Sequence, residues 1–343
     1  MTRSFATLML AALLPACGGS GTIPGAPTAQ NATGRRAPAV RSGNGQSVYW
    51  SLDGDSGVSQ IQFADDPLRK NSRVTTIDSN SNNQLVFSSG MHFDAQGRLW
   101  IITFGPYGGD PASVYIFDVP LTKKSQPRYE FVLQGTASLN QLAFDASGDL
   151  WVTEDAEYGA NAVVEYTGPF NRSGTLTPAV TLTDGIQGAL GLAFDKTGNL
   201  YVSNLHADTN HSIAVFAAPA SNRPPYFLNG LHQPGGLIFD AAGNLYGSDN
   251  FSSFSAIVRY NSNNLKAGAR PDIVDRTSLT EIAERNFALT SSGDLYFTNC
   301  GVHPSVYRYA TSRKPFTAKL APSIDYTNNQ IRAVGCVWGI AIE

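Results

Sequence analysis

The chain has 343 residues, and 24 Lys and Arg residues against 27 Asp and Glu residues give a formal net charge of −3. This low, balanced charge excludes electrostatic attraction to nucleic acid or to an anionic membrane surface as the basis of function. Hydrophobic residues make up 42% of the chain, which excludes intrinsic disorder of the whole. The 33 Gly residues and many aromatic residues are typical of short strands joined by tight turns.

The first residues predict an export signal. Arg3 is followed by the apolar run 5–14, and a run of about ten residues is too short to span a bilayer. The segment LPAC, which ends at Cys17, resembles the lipobox of bacterial lipoproteins. This resemblance implies that residues 1–16 are removed and that acylated Cys17 joins the chain to membrane lipid. The alternative is a cleaved secretory signal with an incidental Cys.

The next segment predicts a flexible tether. Residues 17–46 are rich in Gly, Ser, Pro and Ala and have no apolar period, and the folded domain is predicted over 47–343. In lipoproteins of Gram-negative bacteria, an Asp after the acylated Cys indicates retention in the inner membrane. Because Gly18 stands there, the resemblance implies a cell-envelope location at the outer membrane or cell surface.

Five internal repeats follow at a spacing of about fifty residues, a period typical of propellers. They begin at Gly90, Gln141, Gly191, Gly236 and Phe287, and each contains a turn glycine (Gly97, Gly148, Gly198, Gly243 and Gly293). Each repeat reads as a β-hairpin, in which an Asp binds the amides of the turn and the Gly adopts a positive φ. Thr290 replaces the Asp in the last copy.

Two further strands follow each hairpin. Third strands are predicted to begin at Ser113, Ala162, Ser212, Ala256 and Ser305, and fourth strands at Arg128, Pro178, Pro225, Pro271 and Pro315. Pro cannot donate to a strand ladder, so its position indicates an outer edge strand.

The two ends of the chain hold complementary parts of one more repeat. Residues 338–343 match a first strand, and segments beginning at Val48, Val58 and Arg73 match a second, third and fourth strand. The sequence therefore predicts an all-β, six-bladed β-propeller with four-stranded antiparallel blades. One C-terminal strand joins three N-terminal strands and closes the ring, which removes the exposed sheet edges of an open array.

The repeated motif GLAFDxxGNLYV resembles that of NHL-repeat and SMP-30/gluconolactonase-like propellers over residues 47–343. The resemblance implies a site near the central channel, on the face where the second strands end. Lactonases, lyases, oxidoreductases and binding proteins share this fold, so the resemblance selects no activity.

Polar residues at the ends of the second strands are candidate metal ligands. Hydroxyl residues occupy one position, at Ser51, Thr103, Thr153, Ser203, Ser248 and Thr298, and four successive blades continue with Glu154, Asn204, Asp249 and Asn299. Their oxygens are suited to Ca²⁺ or another divalent metal. The favoured alternative is that they bind loop amides and that the protein needs no cofactor.

The sugar-lactonase branch places its metal ligands directly before the Gly that begins a first strand. The matching residues here are Ser89, Asn140, Leu190, Gly235, Asn286 and Trp338. None of them is a carboxylate, so a metal site of the gluconolactonase type is not expected.

Four of the five His residues are predicted in loops of this face: His206, His211, His232 and His303. Together with Glu154 they are candidates for general base catalysis in a lyase or esterase, which resembles the use of His in virginiamycin-B-lyase-like propellers. The favoured alternative is that they are polar surface residues. His92 lies within a first strand and is expected to be structural.

Cys300 ends a second strand and Cys336 precedes the first strand of the adjacent blade. If Cys17 is acylated, two Cys residues remain, and an even number of Cys residues in an exported protein predicts one disulfide.

The sequence thus favours a monomeric, lipid-anchored propeller that binds a protein, a glycan or a small molecule. The first alternative is a hydrolase or lyase of the SMP-30/lactonase-like kind, with its site on the channel face. A structural role in envelope assembly is a second alternative.

Overall fold

The computed structural model describes residues 46–53, 59–79, 85, 88–103, 111–154, 161–251, 254–277, 286–299, 304–310, 324–334 and 336–343. The chain divides into two compact units, Met1–Ala39 and Val40–Glu343, and all described residues belong to the second. The predicted signal peptide and Cys17 lie outside the described residues.

The described residues form twenty-five strands in six sheets, which we number as blades along the chain. Blade 1 contains β1 (Ser47–Asp53), β2 (Ser59–Asp65) and β3 (Thr75–Asp78). Blade 2 contains β4 (Ser88–Phe93), β5 (Leu99–Thr103), β6 (Ser113–Phe117) and β7 (Tyr129–Leu133). Blade 3 contains β8 (Leu139–Phe144), β9 (Leu150–Glu154), β10 (Ala162–Tyr166) and, after the short strand β11 (Gly174–Leu176), β12 (Val180–Leu182). Blade 4 contains β13 (Ala189–Phe194), β14 (Leu200–Asn204), β15 (Ile213–Phe216) and β16 (Tyr226–Leu228). Blade 5 contains β17 (Pro234–Phe239), β18 (Leu245–Phe251), β19 (Phe254–Tyr260) and β20 (Asp272–Thr277). Blade 6 contains β21 (Phe287–Leu289), β22 (Leu295–Asn299), β23 (Ser305–Tyr309) and β24 (Ile324–Tyr326). The one α-helix in these ranges, α1 (Asn329–Val334), precedes β25 (Val337–Ile342), and a short 3-10 helix lies at Ser262–Asn264.

The two ends of the chain complete one blade. In blade 1, β25 pairs antiparallel with β1, with Val48 opposite Ile342 and Trp50 opposite Ile340. The innermost strands contact one another in the circular order β25, β4, β8, β13, β17, β21 and back to β25. The prediction of an all-β, six-bladed propeller closed by its own termini is therefore confirmed.

The hairpin turns follow the predicted chemistry. In blade 4, Asp195 Oδ1 accepts hydrogen bonds from the Thr197 amide at 2.8 Å and the Asn199 amide at 3.0 Å. Gly198 has a φ of 85°, a conformation that costs glycine little. In blade 6, Thr290 Oγ1 accepts a hydrogen bond from the Asp294 amide at 2.8 Å, so the hydroxyl takes the place of the carboxylate.

The core lies between neighbouring blades. Trp100 of blade 2 is fully buried and packs with Leu142 and Val152 of blade 3 in one cluster. The cluster that closes the ring joins Trp50 and Tyr296, which belong to the first and last blades. Burying such large aromatic side chains contributes several kcal/mol each, so these clusters hold the ring together.

Three features depart from the prediction. The fourth strand of blade 6 was expected to begin at Pro315, which is wrong, because the strand that pairs with β23 is β24. Residues 311–323 lie outside the described residues. The strand β11 pairs parallel with β7 and so adds a fifth strand to the outer edge of blade 2. The helix α1 was not predicted; its Ile331 is fully buried in the ring-closing cluster.

Candidate functional site

The hydroxyl residues at the ends of the second strands connect one blade to the next. Ser203 Oγ accepts a hydrogen bond from the Gly191 amide of its own blade at 2.7 Å and donates one to the Gly235 carbonyl of the next blade at 2.6 Å. Thr153 Oγ1 repeats the pattern with the Gln141 amide at 2.9 Å and the Leu190 carbonyl at 2.8 Å. These buried hydroxyls are therefore part of the scaffold.

Equivalent hydroxyls act in the same way at the ring closure. Ser51 Oγ accepts a hydrogen bond from the Gly339 amide at 2.8 Å, and Thr298 Oγ1 donates one to the Trp338 carbonyl at 2.8 Å. The innermost strands have a register shift at this level in blades 1 to 5. Such a bulge turns carbonyl groups away from the sheet, which makes them available to the neighbouring blade.

Three of the four candidate metal ligands bind backbone amides at one fixed sequence distance. Glu154 Oε1 accepts from the Ala137 amide at 2.9 Å. Asn204 Oδ1 accepts from the Gln187 amide at 3.1 Å, and Asp249 Oδ1 accepts from the His232 amide at 2.7 Å. In each case the amide lies 17 residues earlier in the chain. We call these three contacts the 17-residue latches.

The latches tie the segment before an innermost strand to the end of the second strand of the same blade. This is the amide-binding alternative that the sequence favoured over a metal site. The fourth candidate, Asn299, is buried beside Tyr307. Binding of Ca²⁺ or another divalent metal by these residues stays a prediction.

One carboxylate cluster in the described part of the chain has the spacing of metal ligands, and it lies elsewhere. Oxygens of Asp145, Asp149 and Glu165 lie within 4.8 Å of one another at the hairpin turn of blade 3. Asp145 Oδ1 accepts from the Asp149 amide at 3.0 Å, and Asp149 Oδ1 accepts from the Gly168 amide at 3.0 Å. Partial burial raises the pKa of Glu165, and the charges of Asp149 and Asp145 raise it further. We call these three residues the acidic cluster.

The acidic cluster lies beside a cleft of about 650 Å³ between blades 2 and 3. Arg98 and Asp94 form an ion pair at 2.6 Å on its blade 2 side, and Arg128 and Asp118 form an exposed one at 2.9 Å. Phe144 is a half-buried aromatic residue of its wall. Charged pairs and aromatic faces together make this cleft suited to binding a polar ligand.

We predict that Glu165→Gln raises the melting temperature at neutral pH. A carboxyl whose pKa is raised by folding destabilises the native state above its folded pKa, and this penalty disappears below its unfolded pKa. The gain should therefore be present at pH 7, amount to no more than a few degrees because the site is partly exposed, and vanish when the pH falls below the ordinary Glu range. Thermal unfolding followed by circular dichroism at pH 7 and at pH 3 measures it. A gain of the same size at both pH values would contradict the raised pKa of Glu165.

The described candidate histidines lie beside separate partners. His232 Nδ1 lies 3.5 Å from Oδ2 of the fully buried Asp249, whose pKa is raised by burial. His211 Nδ1 lies 2.8 Å from Asp208 Oδ1, and this hydrogen bond lowers the pKa of Asp208. His206 lies directly over Gly188, where a Cβ would meet its ring. His303 lies outside the described residues, so catalysis by these residues stays a prediction.

His92 lies in the central channel. Its Nδ1 is 2.7 Å from the Phe93 carbonyl oxygen, and its ring packs edge-on against Phe144 with 5.8 Å between centroids. The residue is exposed to solvent within the channel and borders a cavity there. The protein around it lowers the pKa of His92 below its ordinary value, which favours the neutral imidazole.

Two amide side chains meet inside the channel. Gln141 Nε2 donates to Asn286 Oδ1, and Gln141 Oε1 accepts from the Leu192 amide at 2.9 Å. Asn286 lies seven residues before the turn glycine Gly293, as Gln141 does before Gly148. The predicted alignment of Asn286 with Asn140 was therefore wrong by one residue. Counting residues back from each turn glycine would have shown that Gln141 and Asn286 occupy the same position of the repeat.

Cys336 is half-buried directly before β25, whereas Cys300 lies outside the described residues. The disulfide between them therefore stays a prediction. No helix among the described residues is both long enough and apolar enough to cross a membrane.

Comparison with known proteins supports the fold. No protein-family model and no curated protein sequence matches the chain. A candidate 6-phosphogluconolactonase from Bacteroides uniformis is similar in structure, with a TM-score of 0.53 and 12% identity over 82% of each chain. The PQQ-bound aldose sugar dehydrogenase of Streptomyces coelicolor gives a TM-score of 0.53 at 15% identity and covers 74% of this chain and 84% of its own. A streptogramin B lyase gives a TM-score of 0.45 at 17% identity over 71% and 70% of the two chains, and the assignment of the fold does not rest on this weaker similarity.

At these identities the similarity shows the fold alone. The class of protein is that of the six-bladed β-propellers, which its six sheets and its terminal closure define. Proteins of this class include both enzymes and binding proteins, so the function rests on the sites described above.

Proposed function

We propose that this protein is an exported, lipid-anchored propeller that binds its ligand without chemical transformation. The observation that carries the proposal is the set of 17-residue latches. Glu154, Asn204 and Asp249 are the residues of the channel face best suited to hold a metal or move a proton, and each of them binds a backbone amide of its own blade. Their arrangement supports a scaffold role on this face.

The anchoring part of the proposal rests on the sequence. The LPAC segment supports acylation of Cys17, and residues 17–46 supply a tether to the outer membrane or cell surface. Metabolic labelling with a palmitate analogue should mark the wild-type protein and not a Cys17→Ala variant. An unlabelled wild-type protein would leave a secreted propeller without a lipid anchor.

The proposal includes a disulfide between Cys300 and Cys336, because it would link blade 6 to the closing strand. The even number of Cys residues that remains once Cys17 is acylated supports it. Free-thiol counting on the denatured, unreduced protein tests it, and reaction of both sulfurs would refute it. The relation to NHL-repeat and SMP-30-like propellers is likewise a proposal, supported by the repeated hairpin motif.

The decisive experiment separates a latch from a metal site at the same residue. Glu154→Gln keeps an oxygen for the Ala137 amide but removes the charge that a divalent metal needs. Melting of the wild-type protein and of this variant is measured with EDTA and then with Ca²⁺, Mg²⁺, Mn²⁺ and Zn²⁺. We expect similar midpoints in all conditions, because a ligand raises the midpoint only if it binds the folded state. A metal-specific rise that Glu154→Gln abolishes would favour the enzyme alternative.

The second candidate function is a hydrolase or lyase, and the His232–Asp249 pair favours it. A buried carboxylate beside Nδ1 can orient an imidazole whose other nitrogen faces solvent as a general base. His232 is 53% exposed, whereas Asp249 is inaccessible. Turnover of lactone or ester substrates that disappears in His232→Gln but persists in His211→Gln would establish this function and displace the binding proposal.

A further inference from the structure

One position of the innermost strand can be compared across all six blades. Measured from the turn glycine or from the matching strand pairing, this position is occupied by Gly90, Gln141, Gly191, Gly236, Asn286 and Gly339. Four blades thus have glycine, and blades 3 and 6 have an amide. These two blades are three apart in a ring of six and therefore face each other. The side chains of Gln141 and Asn286 meet between these two blades.

The meeting of Gln141 and Asn286 closes the channel at this level, and we call it the amide plug. Neighbouring strands hold both side chains in place. The Leu192 amide donates to Gln141 Oε1, and Asn286 Nδ2 donates to the Trp338 carbonyl at 2.9 Å and to the Ser89 carbonyl at 3.4 Å. Because buried amide groups are costly to leave without partners, this network keeps the plug closed.

Below the plug, toward the hairpin turns, lies a cavity of about 240 Å³ that we call the channel cavity. Its walls include Phe144, Phe194, Phe239 and Phe287 together with aliphatic residues, and no charged side chain lines it. An apolar cavity of about 150 Å³ accommodates benzene. The channel cavity therefore has room for a substituted ring, and it offers no oppositely charged side chain to an ionised ligand.

His92 is the polar group of the channel cavity outside the plug. The other blades carry small or aliphatic residues at its repeat position, namely Ala143, Ala193, Ile238, Ala288 and Ala341. The contact of Nδ1 with the Phe93 carbonyl places the proton on Nδ1, because a carbonyl oxygen can only accept. Nε2 is then an acceptor, and a neutral imidazole beside aromatic walls is well suited to receive a hydrogen bond from a ligand.

We propose that the channel cavity binds a neutral, ring-sized molecule with one hydrogen-bond donor, of the phenol type, and that His92 Nε2 accepts that hydrogen bond. The inference rests on the proposed binding function and names a site and a ligand class for it. The aromatic walls supply the apolar contact, and the imidazole acceptor selects the donor-bearing ring over a plain hydrocarbon. The plug forms the end of the cavity and limits the length of the ligand.

The test uses the full-length mature protein and three fluorinated probes of similar size observed by ¹⁹F NMR. These are 4-fluorophenol, which has a donor, 4-fluorotoluene, which has none, and 4-fluorobenzoate, which is charged. We expect 4-fluorophenol to bind about tenfold more tightly than 4-fluorotoluene, the typical value of one hydrogen bond, and 4-fluorobenzoate not to bind. Equal affinities for all three probes, or no binding of 4-fluorophenol at millimolar concentration, would overturn the inference.

Two variants locate the site. His92→Phe keeps an aromatic ring beside Phe144 but has no acceptor, so it should bind the phenol no better than the toluene. His92→Gln retains an acceptor and should keep part of the preference, and thermal melting verifies that both variants fold. A phenol affinity unchanged in His92→Phe would place the probe elsewhere and refute this site. Binding of a different ligand outside the channel cavity would refute the inference while leaving the proposed binding function intact.

Discussion

Deletion of residues 337–343 is expected to abolish cooperative folding. The deletion removes β25, the inner strand of blade 1, and leaves β1 without its antiparallel partner. Val337 and Ile340 are almost fully buried in the ring-closing cluster, and β25 also contacts β4 and β21 on either side. The free energy lost with these contacts is comparable with the whole free energy of unfolding of a domain, about 5–15 kcal/mol. The truncated chain should show no sigmoidal thermal transition by circular dichroism.

A circular permutant is the matched control for this deletion. The Glu343 amide donates to the Ser47 carbonyl at 3.1 Å, so the two ends of the propeller are neighbours in space. A short Gly-Ser linker can join them, with new termini opened in the exposed turn at Asn222 and Arg223. The permutant should melt cooperatively at a temperature near that of residues 46–343, because it keeps every strand pairing and its new termini lie in an exposed turn. Cooperative melting of the truncated chain near the wild-type temperature would show that closure by β25 is dispensable.

The fold could be predicted from the sequence because its determinants are local and repeated. An Asp such as Asp195 and a turn glycine such as Gly198 define each hairpin within eight residues, and the copies confirm one another. The closure of the ring could also be predicted, because the two ends of the chain hold complementary parts of one repeat. The strand β11 and the true position of β24 could not be predicted in this way. Both depend on pairing between segments that the repeat pattern does not describe.

The roles of the candidate residues were harder to predict. Glu154 and Asp249 carry oxygens that suit a cation and a backbone amide equally well, and only the folded structure reveals the amides 17 residues earlier that they bind. Glu165 is separated in sequence from Asp145 and Asp149, and the register of β10 brings it to the hairpin turn of β8 and β9 where they lie. In blade 6 the same position carries Arg308, which forms an ion pair with Asp294. Comparing the blades position by position would therefore have identified the acidic cluster.

The amide plug shows the same limit in another form. Gln141 and Asn286 are 145 residues apart, and their meeting depends on the ring having six blades. A seven-bladed ring would not place them opposite each other. The contact could therefore be derived only after the number of blades and the repeat alignment were both established.

The innermost strands approach so closely that one added methyl group should be severely destabilising. A Cβ at Gly191 would lie 2.5 Å from the Gly235 carbonyl oxygen, 2.9 Å from Gly236 Cα and 2.9 Å from the Leu237 amide nitrogen. All three atoms belong to the backbone of the neighbouring blade, so no side chain can rotate away. We expect Gly191→Ala to lower the free energy of unfolding by about 3 kcal/mol or more, at or above the upper end of the usual cost of overpacking.

The cause of that loss can be separated from the general effect of replacing a glycine. Gly174 has no heavy atom within 4 Å of an added Cβ and no positive φ, so Gly174→Ala should change the free energy of unfolding by less than about 0.5 kcal/mol. Gly90, where the nearest backbone atom would lie at 3.0 Å, should fall between the two. Urea unfolding of the three variants measures this order. Equal effects at Gly191 and Gly174 would show that the backbones of blades 4 and 5 can move apart with little loss of stability. The predicted order would mean that backbone contact between the inner strands sets the width of the channel.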